Sequence, residues 1–136
     1  MPKVYTGKVV IPGDKMDEYF KLMQEAEEKR EPFRQSLLQL NKEFYEHVLA
    51  KYSERTARRH ASVADLFIEF ISRQTDVETI EQITRGMVNT HFKQWCRRKV
   101  WGAPSPDQLR VSLKKFFTFL ATEKGIVNDK ALKSLQ

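Results

Sequence analysis

Apolar residues recur three and four positions apart along most of the chain, the signature of helices packed through one face. Asp14, a residue type that caps helices, precedes Met16, Tyr19, Phe20 and Met23, and an acidic stretch from Glu25 to Glu31 runs up to Pro32. The pattern predicts a first helix that stops there. Pro32 suits the first turn of a second helix with Phe33, Leu37, Leu40, Phe44, Val48 and Tyr52 on its apolar face, so the two should form a hairpin. A third helix is predicted from about Thr56 to Arg73, with Val63, Leu66, Phe67, Phe70 and Ile71 on one side. A short helical turn, Val77 to Ile83, leads to Thr84, which should cap a fourth helix bearing Val88, His91, Phe92 and Trp95. Gly102-Ala103-Pro104-Ser105-Pro106 breaks the chain, Asp107 or Ser105 caps a fifth helix through Leu109, Leu113, Phe116, Phe117 and Leu120, and Gly125 ends it. A last short helix is expected from Asn128 to Leu135.

Only residues 3–11, KVYTGKVVI, have the β-branched make-up of a strand. With no partner strand in the pattern, they read as an arm that lies on the bundle, pairs with another chain or stays disordered. The expected fold is therefore all-α: an N-terminal arm and helical extension over 1–52, then a bundle of four to five helices over 53–136.

Composition narrows the function. The chain has 136 residues, 40% hydrophobic and 31% charged, enough for a modest core without disulfides or metal. The lone Cys96 has no disulfide or CxxC partner, which suits a reducing compartment. No signal peptide or long apolar run is visible, so the expected location is cytoplasmic, away from membranes. Residues 1–52 hold nine Lys/Arg against nine Asp/Glu, whereas residues 53–136 hold fifteen against nine, so the whole excess of +6 lies in the second segment. Such a segment favours polyanions, chiefly nucleic acid.

That segment opens with SERTARRH, residues 53–60, where charge and structure conflict. Ser53 and Thr56 can cap a helix, yet a helix N-terminus favours acids, and each arginine crowded there gives up a few tenths of a kcal/mol, roughly. Either they extend into water, or an anion sits where they and the free N–H groups converge. Helical spacing sets Arg55 and Arg58 away from the apolar stripe of the third helix, Lys93 and Arg97 opposite that of the fourth, and Arg110 and Lys114 beside that of the fifth. Arg59 falls near the core edge, where it would snorkel. Phe119 points off its stripe, to cover another helix or touch a partner. Catalytic chemistry has little support: His47, His60 and His91 fall in helices without a local nucleophile motif, and no phosphate-cradling glycine loop or metal-ligand pattern is present. His91 reads as a hydrogen-bonded, partly buried ring, and the Glu25–Glu31 acids as a solvated face. No enzyme activity, cofactor or metal is expected.

In order, Ser53-Glu54-Arg55-Thr56, Leu66 to Ile71, Ile80 to Thr84 with Val88 and Phe92, and Leu113-Lys114-Lys115-Phe116-Phe117-Thr118-Phe119-Leu120 resemble the SAM-like core-binding domain of tyrosine recombinases, or phage integrases. Gly125 and Asn128 stand where that family has a glycine followed by Asn-Pro; here Asp129 replaces the proline, His60 an expected aromatic, and Ala103-Pro104-Ser105-Pro106 a Ser/Thr-rich helix entry. The resemblance covers about 80 residues and implies a SAM-like bundle forming half of a clamp around duplex DNA, with the catalytic residues in a separate C-terminal domain. Carried over by position, it makes Arg55, Thr56, Arg58 and Arg59, and Arg110, Lys114 and Lys115, candidates for DNA contact beside Lys93 and Arg97. The leading expectation is a non-catalytic duplex-DNA-binding module, working with a recombinase catalytic subunit or self-associating through residues 1–52. The alternative is a protein-interaction or dimerisation module built from the acidic N-terminal hairpin and the aromatic fifth helix. A segment of a full recombinase is a third reading.

Overall fold

The computed structural model describes residues 3–4 and 12–136. After a 3-10 turn at Gly13–Lys15, α1 runs over Met16–Leu49, α2 over Glu54–Gln74, α3 over Phe92–Lys99, α4 over Pro106–Glu123 and α5 over Asp129–Ser134. A 3-10 turn at Ile80–Gln82 and a π turn at Met87–His91 lead into α3. The fold is the all-α bundle expected.

One expectation fails at once: the hairpin is a single 34-residue helix with Pro32 inside it. Proline removes one N–H and crowds the carbonyl four residues back. Here Pro32 lies on an exposed face, where water can serve the Glu28 carbonyl, and no glycine or asparagine nearby offers a turn. Packing holds the helix straight through. Running antiparallel to α2, α1 sends the buried Arg30 to the Thr75 carbonyl, Arg34 to Glu69 at 3.0 Å and Asn41 to the Ala61 carbonyl at 3.0 Å. Thr75, which ends α2, also bridges Val4, so the described part of the arm, Lys3 and Val4, lies on the bundle. Residues 5–11 of the expected strand fall outside the described residues.

The core crosses the division expected at residue 52. Leu37, Phe44 and Val48 of α1 join Val63, Phe67, Phe70 and Ile71 of α2, Phe92 and Cys96 of α3, and Leu109, Leu113, Phe116, Phe117 and Leu120 of α4. Phe119 is buried as well, its ring 5.6 Å from Phe44 and 5.1 Å from His47, so it covers α1. The fifth-helix aromatics of the interaction reading are thus core, not a partner groove. By contrast Met16, Phe20, Leu22 and Met23, in the first half of α1, are exposed.

Asp14 does not cap α1, since it lies inside the 3-10 turn and the N-cap position is Lys15, but the later helix starts are capped as the pattern suggests. Ser53 accepts from the Thr56 N–H at 3.2 Å, Thr84 from Met87 at 3.3 Å, Ser105 from Gln108 at 3.1 Å and Asn128 from Ala131 at 3.1 Å. The π turn was not legible. It inserts an extra residue per turn, laying the His91 ring over Gly86, where a Cβ would sit 3.4 Å from Cδ2. His91 is half-buried as expected, but its buried Nδ1 lacks the hydrogen bond expected of it.

Candidate nucleic-acid interface

The start of α2 packs beside α4 through a short polar chain. Gln108 Nε2 donates to Ser112 Oγ at 2.8 Å, and Ser112 Oγ lies 2.8 Å from Nδ1 of His60. The Ser112 hydroxyl, one donor with two acceptor lone pairs, can accept from Gln108 and still pair with Nδ1 of either His60 tautomer. A serine on a histidine nitrogen is how nucleophiles are activated, but Ser112 is fully buried and no substrate reaches it. Cys96 is buried too, and burial pushes its thiol up to about 11.

His60 is a stability element with a defined pH dependence. Burial first, then the nearby Lys115 and Arg59, hold its pKa below the usual 6.5. The unfolded chain therefore takes up a proton near pH 6.5 that the folded chain refuses, so stability is full above that value and falls as pH drops through it. Thermal melts from pH 8 to pH 5, at about constant salt, should show a decline that is smaller in a His60→Gln variant. An equal decline in both proteins would remove His60 from the account.

Around this polar chain lies a set of cations. Lys115 donates to the Tyr52 hydroxyl at 2.9 Å and sits 5.0 Å from the ring centroid, drawing the phenol below its usual pKa. Tyr52 in turn packs edge-on to His60, with centroids 5.9 Å apart. Lys51, Tyr52, Lys114 and Lys115 line a groove of about 720 Å³ between the end of α1 and α4. Arg59, expected at the core edge, is instead exposed, as is Arg55, and no acid pairs with either among the described residues. The cap uses the Thr56 N–H and hydroxyl, leaving the first backbone N–H groups of α2 open to an anion.

Other candidates are differently placed. Arg58 forms an ion pair with Glu54 one turn back, at 2.5 Å. Arg110 is half-buried and committed, donating to the Leu135 carbonyl at 3.2 Å and to Asp107 at 2.8 Å; it fastens α5 to α4. Lys93 and Arg97 line a separate groove against the start of α4 that shares no lining residue with the first. Sequence reasoning missed Lys51 and took Tyr52 for a core position of a longer helix. It also missed Arg30, whose burial nothing in the local pattern signals.

Residues 41–124 match the family model described as phage integrase, N-terminal SAM-like domain. The chain belongs to this family. The matched segment of this phage integrase SAM-like domain begins within α1 and runs through α4, so it contains the α2 N-terminus, the His60–Ser112 pair and the cationic groove. The exposed first half of α1 and all of α5 lie outside it. No curated protein and no solved structure matches the chain. Among the described residues, no helix is long and apolar enough to cross a membrane.

Proposed function

We propose that this domain binds duplex DNA without cutting it, through the N-terminus of α2 and the neighbouring flank of α4. The observation that carries this reading is the convergence of Arg59, Lys115, Lys114 and Lys51 around Tyr52 and the open start of α2. Cations and free N–H groups together form a phosphate-binding surface, which positions a duplex without reading its sequence. Arg55, Arg59, Lys51, Lys114 and Lys115 are assigned the phosphate contacts; Thr56 and Arg58 border them, and Arg110 braces the surface from behind. Lys93 and Arg97 belong to another part of the surface. Strand cleavage is left to a separate catalytic unit, and a cytoplasmic setting suits the lone thiol.

The test is fluorescence anisotropy of a labelled random-sequence duplex over a range of salt. Contact with about four to six phosphates gives a slope of log affinity against log salt of about −4 to −5. The combined Arg55→Glu, Arg59→Glu and Lys114→Glu variant should flatten that slope by about three and weaken binding at least roughly 100-fold. A flat response in the native chain sinks the proposal.

A second reading has its own observation, the exposed Met16, Phe20, Leu22 and Met23 of α1. In it, residues 1–52 mediate self-association and the cations only keep the chain soluble. Sedimentation on the same samples separates the two: a dimer with no DNA affinity at low salt favours the second.

A further inference from the structure

Trp101 is the most exposed large hydrophobic side chain described, with 101% of its reference surface in water. Tryptophan is ordinarily well covered, because its ring offers the largest apolar surface of any residue. The exposure does not come from a loose loop. Val100 on one side and Ala103 on the other pack against the core, the Val100 N–H closes α3 on the Cys96 carbonyl at 3.0 Å, and Gly102 turns the chain with φ +64°, a conformation that favours glycine. The ring is thus held out from a turn anchored at both ends. Val100, Gly102 and Pro104 line the Lys93–Arg97 groove and also a second groove containing Arg34, Asp65 and Glu69, so Trp101 stands on the crest between them.

The charge around this crest is one-sided. From Ile83 to Pro106 the sequence has five Lys/Arg and no Asp or Glu. Arg97, Arg98 and Lys99 are exposed, Lys93 is half-buried, and none of the four forms an ion pair among the described residues. Cations in the last turn of α3 complement its dipole, which accounts for some of them. It does not account for a tryptophan in water beside them. A π face open to stacking, next to unpaired cations, is the pairing that holds single-stranded nucleic acid, since every base offers a ring and every linkage a phosphate.

We propose that the Trp101 turn is a binding site for single-stranded DNA, in which an unpaired base stacks on Trp101 and the adjoining phosphates lie along Lys93 and Arg97 on the non-acidic side of the crest. The site rests on the nucleic-acid reading above but occupies a different face from the duplex surface. It gives the domain a means of holding a frayed or displaced strand while the α2–α4 face grips the duplex.

The experiment measures anisotropy of a labelled oligothymidylate of about twelve nucleotides, which cannot pair with itself, and of the labelled duplex in parallel. Native protein, Trp101→Ala and Trp101→Phe are compared, with circular dichroism to confirm equal helicity. Trp101→Ala should weaken single-strand binding about 5- to 150-fold, the range for loss of one base–aromatic stack, and leave duplex affinity unchanged. Trp101→Phe should recover part of the loss. Equal single-strand affinity in native and Trp101→Ala proteins overturns this site while leaving the duplex surface standing. Trp101-dependent single-strand binding without duplex binding does the reverse, and failure to bind either probe at low salt overturns both.

Discussion

Replacing Phe67 with alanine is expected to cost about 3–5 kcal/mol of folding stability, and for a domain of this size to lower the melting temperature by roughly 10–20 °C. Phe67 is the hinge of the aromatic core: its ring meets Phe92 of α3 edge-on at 5.2 Å and Phe117 of α4 edge-on at 5.8 Å, and lies 6.3 Å from Phe70 on its own helix. Truncation removes the apolar burial of the ring and two favourable edge-to-face pairs, and leaves a void walled by three helices. Because the total stability of a domain is only about 5–15 kcal/mol, this one change removes a large fraction of it. Chemical denaturation of the native, Phe67→Leu and Phe67→Ala proteins should rank them in that order. A change of under about 1 kcal/mol for Phe67→Ala would place the core elsewhere.

The second large effect is expected at Asn128, whose side chain carries three hydrogen bonds from a buried position. Its Nδ2 donates to the Ile80 carbonyl at 2.8 Å and the Ile83 carbonyl at 2.9 Å, while Oδ1 caps α5 by accepting from Ala131. One side chain thus ties the C-terminal helix to the turn ahead of α3. Asn128→Asp is nearly isosteric and keeps the cap, but it exchanges the donor for a carboxylate oxygen facing two carbonyls. The expected cost is about 3–5 kcal/mol, greater than that of Asn128→Ala, which leaves the carbonyls unpaired and gives up the cap but buries no charge. If Asn128→Asp proves no worse than Asn128→Ala in urea unfolding, the two carbonyl contacts contribute little.

Much of this was legible in the sequence because the relevant signals are local. Ser53, Thr84, Ser105 and Asn128 cap by reaching three residues along the chain, and the stripes of α2 and α4 follow from spacing alone. Where the deciding partner is remote, the sequence was silent. Nothing near Arg30 announces the Thr75 carbonyl, nothing near His60 announces Ser112, and Phe119 lies off its own stripe because Phe44 and His47 come to meet it. Arg110 shows the same limit in the candidate site, since its charge suggests a ligand while the Leu135 carbonyl and Asp107 already engage it. Pro32 misled for the opposite reason. A local stop signal was overruled by packing along the whole of α2.

That unbroken passage through Pro32 gives the domain a continuous spoke. A 34-residue helix is about 51 Å long, and while its far half is locked into the bundle by Leu37, Phe44 and Val48, its near half carries Met16, Phe20 and Met23 out from it. A hinged hairpin would let those residues wander; a continuous helix sets their bearing as well as their reach relative to the cations of α2 and α4. Each residue added or lost between them turns the tip by about 100° and moves it about 1.5 Å, so the exposed end of α1 is clocked to the basic face like a key cut to one angle.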